Sequence, residues 1–221
     1  MITTQIGAAW HIRSPYVYRM LPEKYVDEFF DSGKLRISSF NQFSKHDDED
    51  KGDQQEGKHI LVGKGTKQTV YAVTSHGSDA FVLCGAQIIN KDLLDRFKSN
   101  SAILIKDPTG FGATISRQIA GFKFGMEGPC VYKDGPVECD IGDFELDQLK
   151  ADAPDKNLDL NKMGGFLLNM AGSEVFFRKR ERHAHHLEYR WIWLADKKVP
   201  DYLEIYAPDA RQYCEKIKQE P

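Results

Sequence analysis

The segment from Tyr16 to Phe40 is the part of this 221-residue chain with the fewest ways to fold. Tyr16, Val17 and Tyr18 are aromatic or β-branched and favour a strand. Pro22 suits a first helical turn, where its missing N–H would lack a partner anyway. Val26, Phe29 and Phe30 then recur at i, i+3 and i+4, one apolar helical stripe. Gly33 stands where a left-handed cap ends a helix. Beyond it Leu35, Ile37 and Ser39 alternate with Arg36, Ser38 and Phe40, the period of a new strand. Strand, helix and strand follow with almost no slack, which puts Arg19 on the first strand and Ser38 and Ser39 on the second. Two readings are open for them. A fixed cation and two small hydroxyls face one ligand across a cleft, or an arginine pairs with a structural carboxylate and the serines cap a strand end.

A hydrophobic fraction of 41% and a charged fraction of 29% describe an ordinary soluble globular chain. Its length suits a substantial core, and a single domain over 1–221 is the expectation. The net charge of −3 provides no global field for nucleic acid, so any such contact needs a local patch. The opening residues lack the basic end and apolar core of a secretory signal, and no apolar run is long enough to cross a bilayer. A cytoplasmic location with no membrane partner is therefore expected. Cys84, Cys130, Cys139 and Cys214 form no CxxC pair, which points to reduced thiols and away from a metal knuckle.

Trp10 and His11 belong to a lead-in that folds over the first strand. Residues 44–57 are acidic and punctuated by glycine, a surface loop. Asp48, Asp50 and Asp53 resemble a calcium loop only until its twelfth position, which is His59 and not a bidentate glutamate. Strands are expected at 58–62, 68–74 and 79–84. Asn90 caps a helix carrying Leu93, Leu94 and Phe97, and 102–106 is a buried strand. Ile115, Ile119 and Phe122 predict a helix over 114–124. A short strand at 130–133 and a helix over 143–149 capped by Asp143 follow, then a polar connector at 152–157. Leu160, Met163, Leu167 and Met170 mark a helix whose stripe is core. Glu174 to Phe177 reads as a strand, and Arg178 to His186 as a basic, histidine-rich, solvated link. Pro208 opens a terminal helix with Ala210, Tyr213, Cys214 and Ile217.

The strand at 187–194 is the most strongly patterned. Leu187, Tyr189, Trp191 and Trp193 share one face, and Glu188 and Arg190 share the other with His186 and Ile192. A carboxylate and a guanidinium side by side on such a strand either pair structurally or line a cleft. Three constellations result. Arg19, Ser38, Ser39 and Glu188 join a planar fork for phosphate with a carboxylate able to steady positive charge on a ribose carbon. His183 and His185 have a spacing that holds zinc on an extended chain, although no third and fourth ligands are evident. Arg178, Lys179, Arg180 and Arg182 are a basic run beside Glu188, either solvated or holding a phosphate-bearing target.

The order of Tyr18-Arg19, a short helix ending in Ser32-Gly33, a strand ending in Ser38-Ser39 and a late strand bearing Glu188 resembles the arginine–serine–glutamate layout of ADP-ribosyltransferases. The same opening, the acidic 52–57 loop and the late Leu-Glu-Tyr-Arg are similar to an uncharacterised bacterial family found in defence and mobile-element settings. The first resemblance implies an α+β fold with a split mixed or antiparallel β-sheet core and flanking helices, with NAD as substrate. In that reading Glu188 and Arg19 are catalytic, and Arg19, Tyr18, Ser38, Ser39 and Arg190 bind the dinucleotide; no metal is used. The implied function is ADP-ribosyl transfer to a protein, RNA or DNA acceptor, in a toxin or anti-phage role that leaves room for an inhibitory partner protein. Two departures stand out. The second Glu or Gln of arginine-modifying members is His186 here, and Ser-Thr-Ser is Ser38-Ser39-Phe40. The alternatives are a non-catalytic module sensing a nucleotide or nucleic acid through Arg19 and 178–186, and a metal-dependent nuclease using the 47–56 acids with the histidines.

Overall fold

The computed structural model describes residues 15–45, 57–151 and 158–218. The acidic loop at 46–56, the lead-in with Trp10 and His11, and the 152–157 connector lie outside them. The opening unit forms as its sequence requires: β1 (Val17–Leu21), α1 (Glu23–Ser32) and β2 (Lys34–Ser39). Val26 and Phe29 are buried, and Gly33 caps the helix at φ 77°. A side chain there would also collide with the backbone of Pro208.

Next come β3 (Lys58–Gly65), β4 (Thr69–Ser75) and β5 (Ala80–Ala86), then α2 (Lys91–Arg96), capped by the Asn90 side chain, which accepts from the Leu93 N–H at 2.8 Å. β6 (Ser101–Ile105) leads into α3 (Pro108–Ser116). This helix begins earlier than the 114–124 stripe predicts. Asp107 accepts from the Gly110 N–H and Pro108 occupies the first turn, a start signal that outweighs the later apolar spacing. The chain turns at Gly121 (φ 72°), so Phe122 opens β7 (Phe122–Pro129). β8 (Val131–Tyr132) and β9 (Val137–Gly142) follow. In place of a helix over 143–149 there is a 3₁₀ turn at Leu146–Leu149, because Asp143 accepts from the Thr66 hydroxyl and caps nothing.

The apolar stripe at 160–170 forms α4 (Leu160–Ala171), with Met170 buried in a cluster with Leu61, Val137 and Val175. Glu174–Phe177, expected as a strand, is a single helical turn, α5. β10 (Arg178–Lys179) leaves it, and a 3₁₀ turn spans Glu181–His186. The basic link is solvated only in part: Arg178, Lys179, His183 and His186 are buried, while Arg182 and His185 are exposed. β11 (Glu188–Ala195) appears as patterned, except that Leu187 lies outside it at φ 43° and is 39% exposed, and β12 (Tyr202–Tyr206) follows. The expected terminal helix is a 3₁₀ turn at Pro208–Tyr213 followed by β13 (Cys214–Lys218). Cys214 to Lys218 pair along the open edge of β6, with Cys214 and Ile217 packing into different apolar clusters, and that edge outweighs a weak helical spacing.

Among the described residues, eight strands form one sheet in which every pairing is antiparallel, so the molecule is α+β with a mostly antiparallel sheet. One face packs Leu83, Ile103, Tyr189, Trp191 and Trp193 against Val26 and Phe29 of α1 and Phe111 and Ile115 of α3. On the other face Val82 and Ile192 meet Phe40, Phe176 and Phe177. A second sheet, β4–β3–β9, is covered by α4, and Phe176 packs in the clusters of both sheets.

Among the described residues no helix is long and apolar enough to cross a membrane. The four cysteines are free thiols.

Candidate functional site

The sheet is split at β5. One edge of β5 pairs with β11 over its whole length, from Ala80 to Ala86. The other edge is shared. β1 touches it at Ala86 through Tyr18, and β2 touches it at Val82 and Phe81 through Ser38 and Ser39. β1 and β2 both run antiparallel to β5 and diverge between these contacts, leaving Leu83, Cys84 and Gly85 without a strand on that edge among the described residues. Gly85 has to be small, since a Cβ there would lie 2.5 Å from a Val17 methyl. α1 bridges the two diverging strands. The wedge between them opens into a cavity of about 430 Å³.

Residues far apart in sequence meet in this hollow: Tyr18 and Arg19 from β1, Ser38 from β2, Lys179 from β10, His186 and Glu188. Directly opposed residues of antiparallel strands share a face. Tyr18, Ala86 and Glu188 are opposed in sequence across β1, β5 and β11, and Ser38 is opposed to Val82, so Tyr18, Ser38 and Glu188 face one side. Arg19 is opposed to the core residue Ile103 and starts out toward the other side. Its guanidinium turns into the gap, where Nη1 donates to the Cys84 carbonyl at 2.7 Å. That carbonyl is one the divergence leaves without a strand partner. Arg19 therefore closes the floor of the wedge and still lines the cavity. Burial lowers its pKa, with Cys84 and Glu188 acting against the shift.

Two other sequence candidates sit elsewhere. Ser39 is buried toward the core, opposite Phe81, and its N–H donates to the Asp201 carbonyl at 2.7 Å. Arg190 is 1% exposed and does not line the cavity. Its Nη1 donates to the Phe176 carbonyl at 2.8 Å, and its guanidinium lies 5.6 Å from the Phe40 ring centroid. Its Nε reaches Glu188 Oε1 at 2.6 Å, so it holds a carboxylate of the cavity wall.

Glu188 is the most heavily held group in the wall. Lys179 Nζ donates to Oε2 at 2.6 Å, and the Cys130 thiol approaches Oε1 at 3.7 Å. The Glu188 N–H donates to the Tyr132 hydroxyl at 2.7 Å. Burial pushes the carboxyl pKa up, but Arg190 and Lys179 outweigh burial and hold it well below the ordinary carboxylate range. The site thus keeps a fully ionised carboxylate at neutral pH. His186, 1% exposed, packs against His185 and Phe97 with centroids 4.3 and 5.4 Å away. Burial, then Lys179 and His185, lower its pKa to about 4, so it is a neutral imidazole at pH 7.

The basic run divides by role. Arg178 donates to the carbonyls of Lys133, Asp134 and Gly135 and pairs with Glu174, which ties down the turn after β8. Lys179, one residue on, faces the cavity. The extended spacing that would suit zinc at His183 and His185 is replaced by a 3₁₀ turn, and among the described residues no three His, Cys, Asp or Glu side chains converge on a metal-sized site.

Comparison of the chain with family models, with curated proteins and with solved structures returns no match. The site therefore stands on its own chemistry. A cavity of this size falls within the range of small-molecule sites. Its walls carry Arg19, Arg36, Lys98 and Lys179 against one carboxylate, Glu188, with Tyr18 and Tyr25 as aromatic surface. Cations and aromatic rings suit a ligand with phosphates and a planar base. Tyr25, Arg36 and Lys98 are lining residues that sequence reading assigned to no site. Alternation along β2, which puts Arg36 on the Ser38 face, was a usable signal for one of them. No local pattern marks Tyr25 or Lys98, because their place depends on the wedge.

Proposed function

We propose that the wedge cavity binds NAD and that the protein transfers ADP-ribose from it to a macromolecular acceptor. One observation carries this reading: Tyr18, Arg19, Ser38 and Glu188, from opposite ends of the chain, line a single hollow where the sheet splits. In the reaction the bond between nicotinamide and ribose C1′ breaks and its electron pair leaves with nicotinamide. The positive charge that develops at C1′ is stabilised by the ionised Glu188. A nucleophile of the acceptor then bonds to C1′ and loses its proton to solvent. A carboxylate has about four lone-pair sites, and the contacts to Lys179, Arg190 and Cys130 occupy three, so Glu188 keeps capacity to accept from a ribose hydroxyl. Ser38 supports the same ribose, and Arg19, with the rim cations, meets phosphate.

The test is incubation of protein and cell extract with NAD labelled in its adenylate half. Label on an acceptor in wild type, absent with Glu188→Gln and reduced with Ser38→Ala, is the expected result. Because Glu188 balances two buried cations, assays on Glu188→Gln belong well below its own melting temperature. No released nicotinamide and no transferred label would overturn transfer.

A second reading has one observation in its favour. The two short ion pairs on Glu188 make it a structural centre, as a non-catalytic nucleotide-sensing module would require. That module predicts thermal stabilisation by NAD that survives Glu188→Gln, with no label transferred.

A further inference from the structure

We infer that Tyr25 and Arg36 form the seat for the adenine ring of the dinucleotide, at the mouth of the wedge; this rests on the reading of the cavity as an NAD site. Both line the cavity, one from the helix that leaves β1 and the other from β2. They therefore belong to the two arms that diverge at the split. Both are exposed, Tyr25 by 47%. The Lys24 ammonium lies 4.6 Å from the Tyr25 centroid.

Arg36 is arranged before any ligand arrives. Its guanidinium lies 4.0 Å from the centroid of the Tyr202 ring, which projects from β12 opposite Ser38. A guanidinium held over one ring can stack a base on its other side, which a lysine ammonium cannot do.

The direction of the ligand follows from burial. The bond to be broken must meet Glu188, which is 8% exposed, so the nicotinamide end lies inward. The second ring of the dinucleotide is left at the exposed mouth. Base stacking on aromatic and guanidinium surfaces is tolerant of the base edge, so this seat contributes affinity and leaves the chemistry to the interior.

The experiment is calorimetric titration of AMP, nicotinamide mononucleotide and NAD into wild type, Tyr25→Ala, Tyr25→Phe and Arg36→Lys. Tyr25→Ala is expected to weaken AMP and NAD by roughly 5- to 100-fold and to leave nicotinamide mononucleotide unchanged. Tyr25→Phe should bind like wild type. Arg36→Lys, which keeps the charge and loses the plane, should weaken AMP and NAD as well. Thermal melts of the variants should overlay wild type, since both side chains are on the surface. Equal AMP affinity in wild type and Tyr25→Ala overturns the seat. So does a loss confined to nicotinamide mononucleotide, or a wild type that binds NAD and not AMP. A wild type that binds none of the three overturns the NAD reading itself.

Discussion

The two faces of β11 are built on opposite principles. Toward one side Tyr189, Trp191 and Trp193 enter the largest apolar cluster, and even their polar atoms are satisfied. The Trp191 indole donates to the Pro108 carbonyl at 2.9 Å and the Trp193 indole to the Gly112 carbonyl at 3.1 Å. Toward the other side Glu188 and Arg190 are equally buried but depend on each other and on Lys179. On the apolar face each side chain stabilises through its own buried area. On the charged face no member is favourable alone, because removing one leaves its partners buried without compensation. The first arrangement holds the fold, and the second holds a carboxylate ready at the edge of a cavity.

Mutagenesis separates the two. Trp191→Ala should have the largest effect, a loss of about 3–5 kcal/mol measured by urea unfolding. It should show no dependence on the charged face, so that combining it with Lys179→Met gives close to the sum of the two effects. Glu188→Gln should cost less, about 1–3 kcal/mol, because a neutral amide still accepts from one cation. Adding Lys179→Met to it should recover part of that loss, a coupling of about 0.5–3 kcal/mol. Strict additivity of those two would break the contrast drawn between the faces.

A further contrast lies in the pH dependence. His186 has its pKa lowered from the ordinary 6.5 to about 4. Between these values the unfolded chain binds the proton more readily, so stability falls as pH drops from about 6.5 to about 4 and is unaffected above. His186→Leu should flatten that slope while changing stability at pH 7 little. Glu188 acts in a different window. With a lowered folded pKa, its contribution is complete above the ordinary carboxylate range and is lost only as pH falls through the folded value. Glu188→Gln should therefore change the most acidic part of the curve, and pH-dependent thermal melts of the two variants resolve the two windows.

The legibility of the chain follows the same division. α1 could be read because Val26, Phe29 and Gly33 each carry a local instruction, and β11 because Tyr189, Trp191 and Trp193 alternate without exception. Ile115, Ile119 and Phe122 misled, since apolar spacing alone cannot say where a helix starts, and Asp107 with Pro108 could. Glu174 to Phe177 carries too few residues for any period to be decisive. Of the six candidate site residues, Tyr18, Arg19, Ser38 and Glu188 come to the cavity. Ser39 and Arg190 do not, one through strand alternation and the other through its bond to the Phe176 carbonyl.

What the sequence by itself determined is the unit β1–α1–β2 and the amphipathic strand β11, because turns, caps and alternation act over a few residues. Only the tertiary structure decided that β1 and β2 diverge along one edge of β5, that the basic link folds inward to bring Lys179 against Glu188, and that residues 214–218 add a strand to β6. Each of these depends on which edge or charge is left unpaired once the rest of the chain has packed. No window of neighbouring residues contains that information.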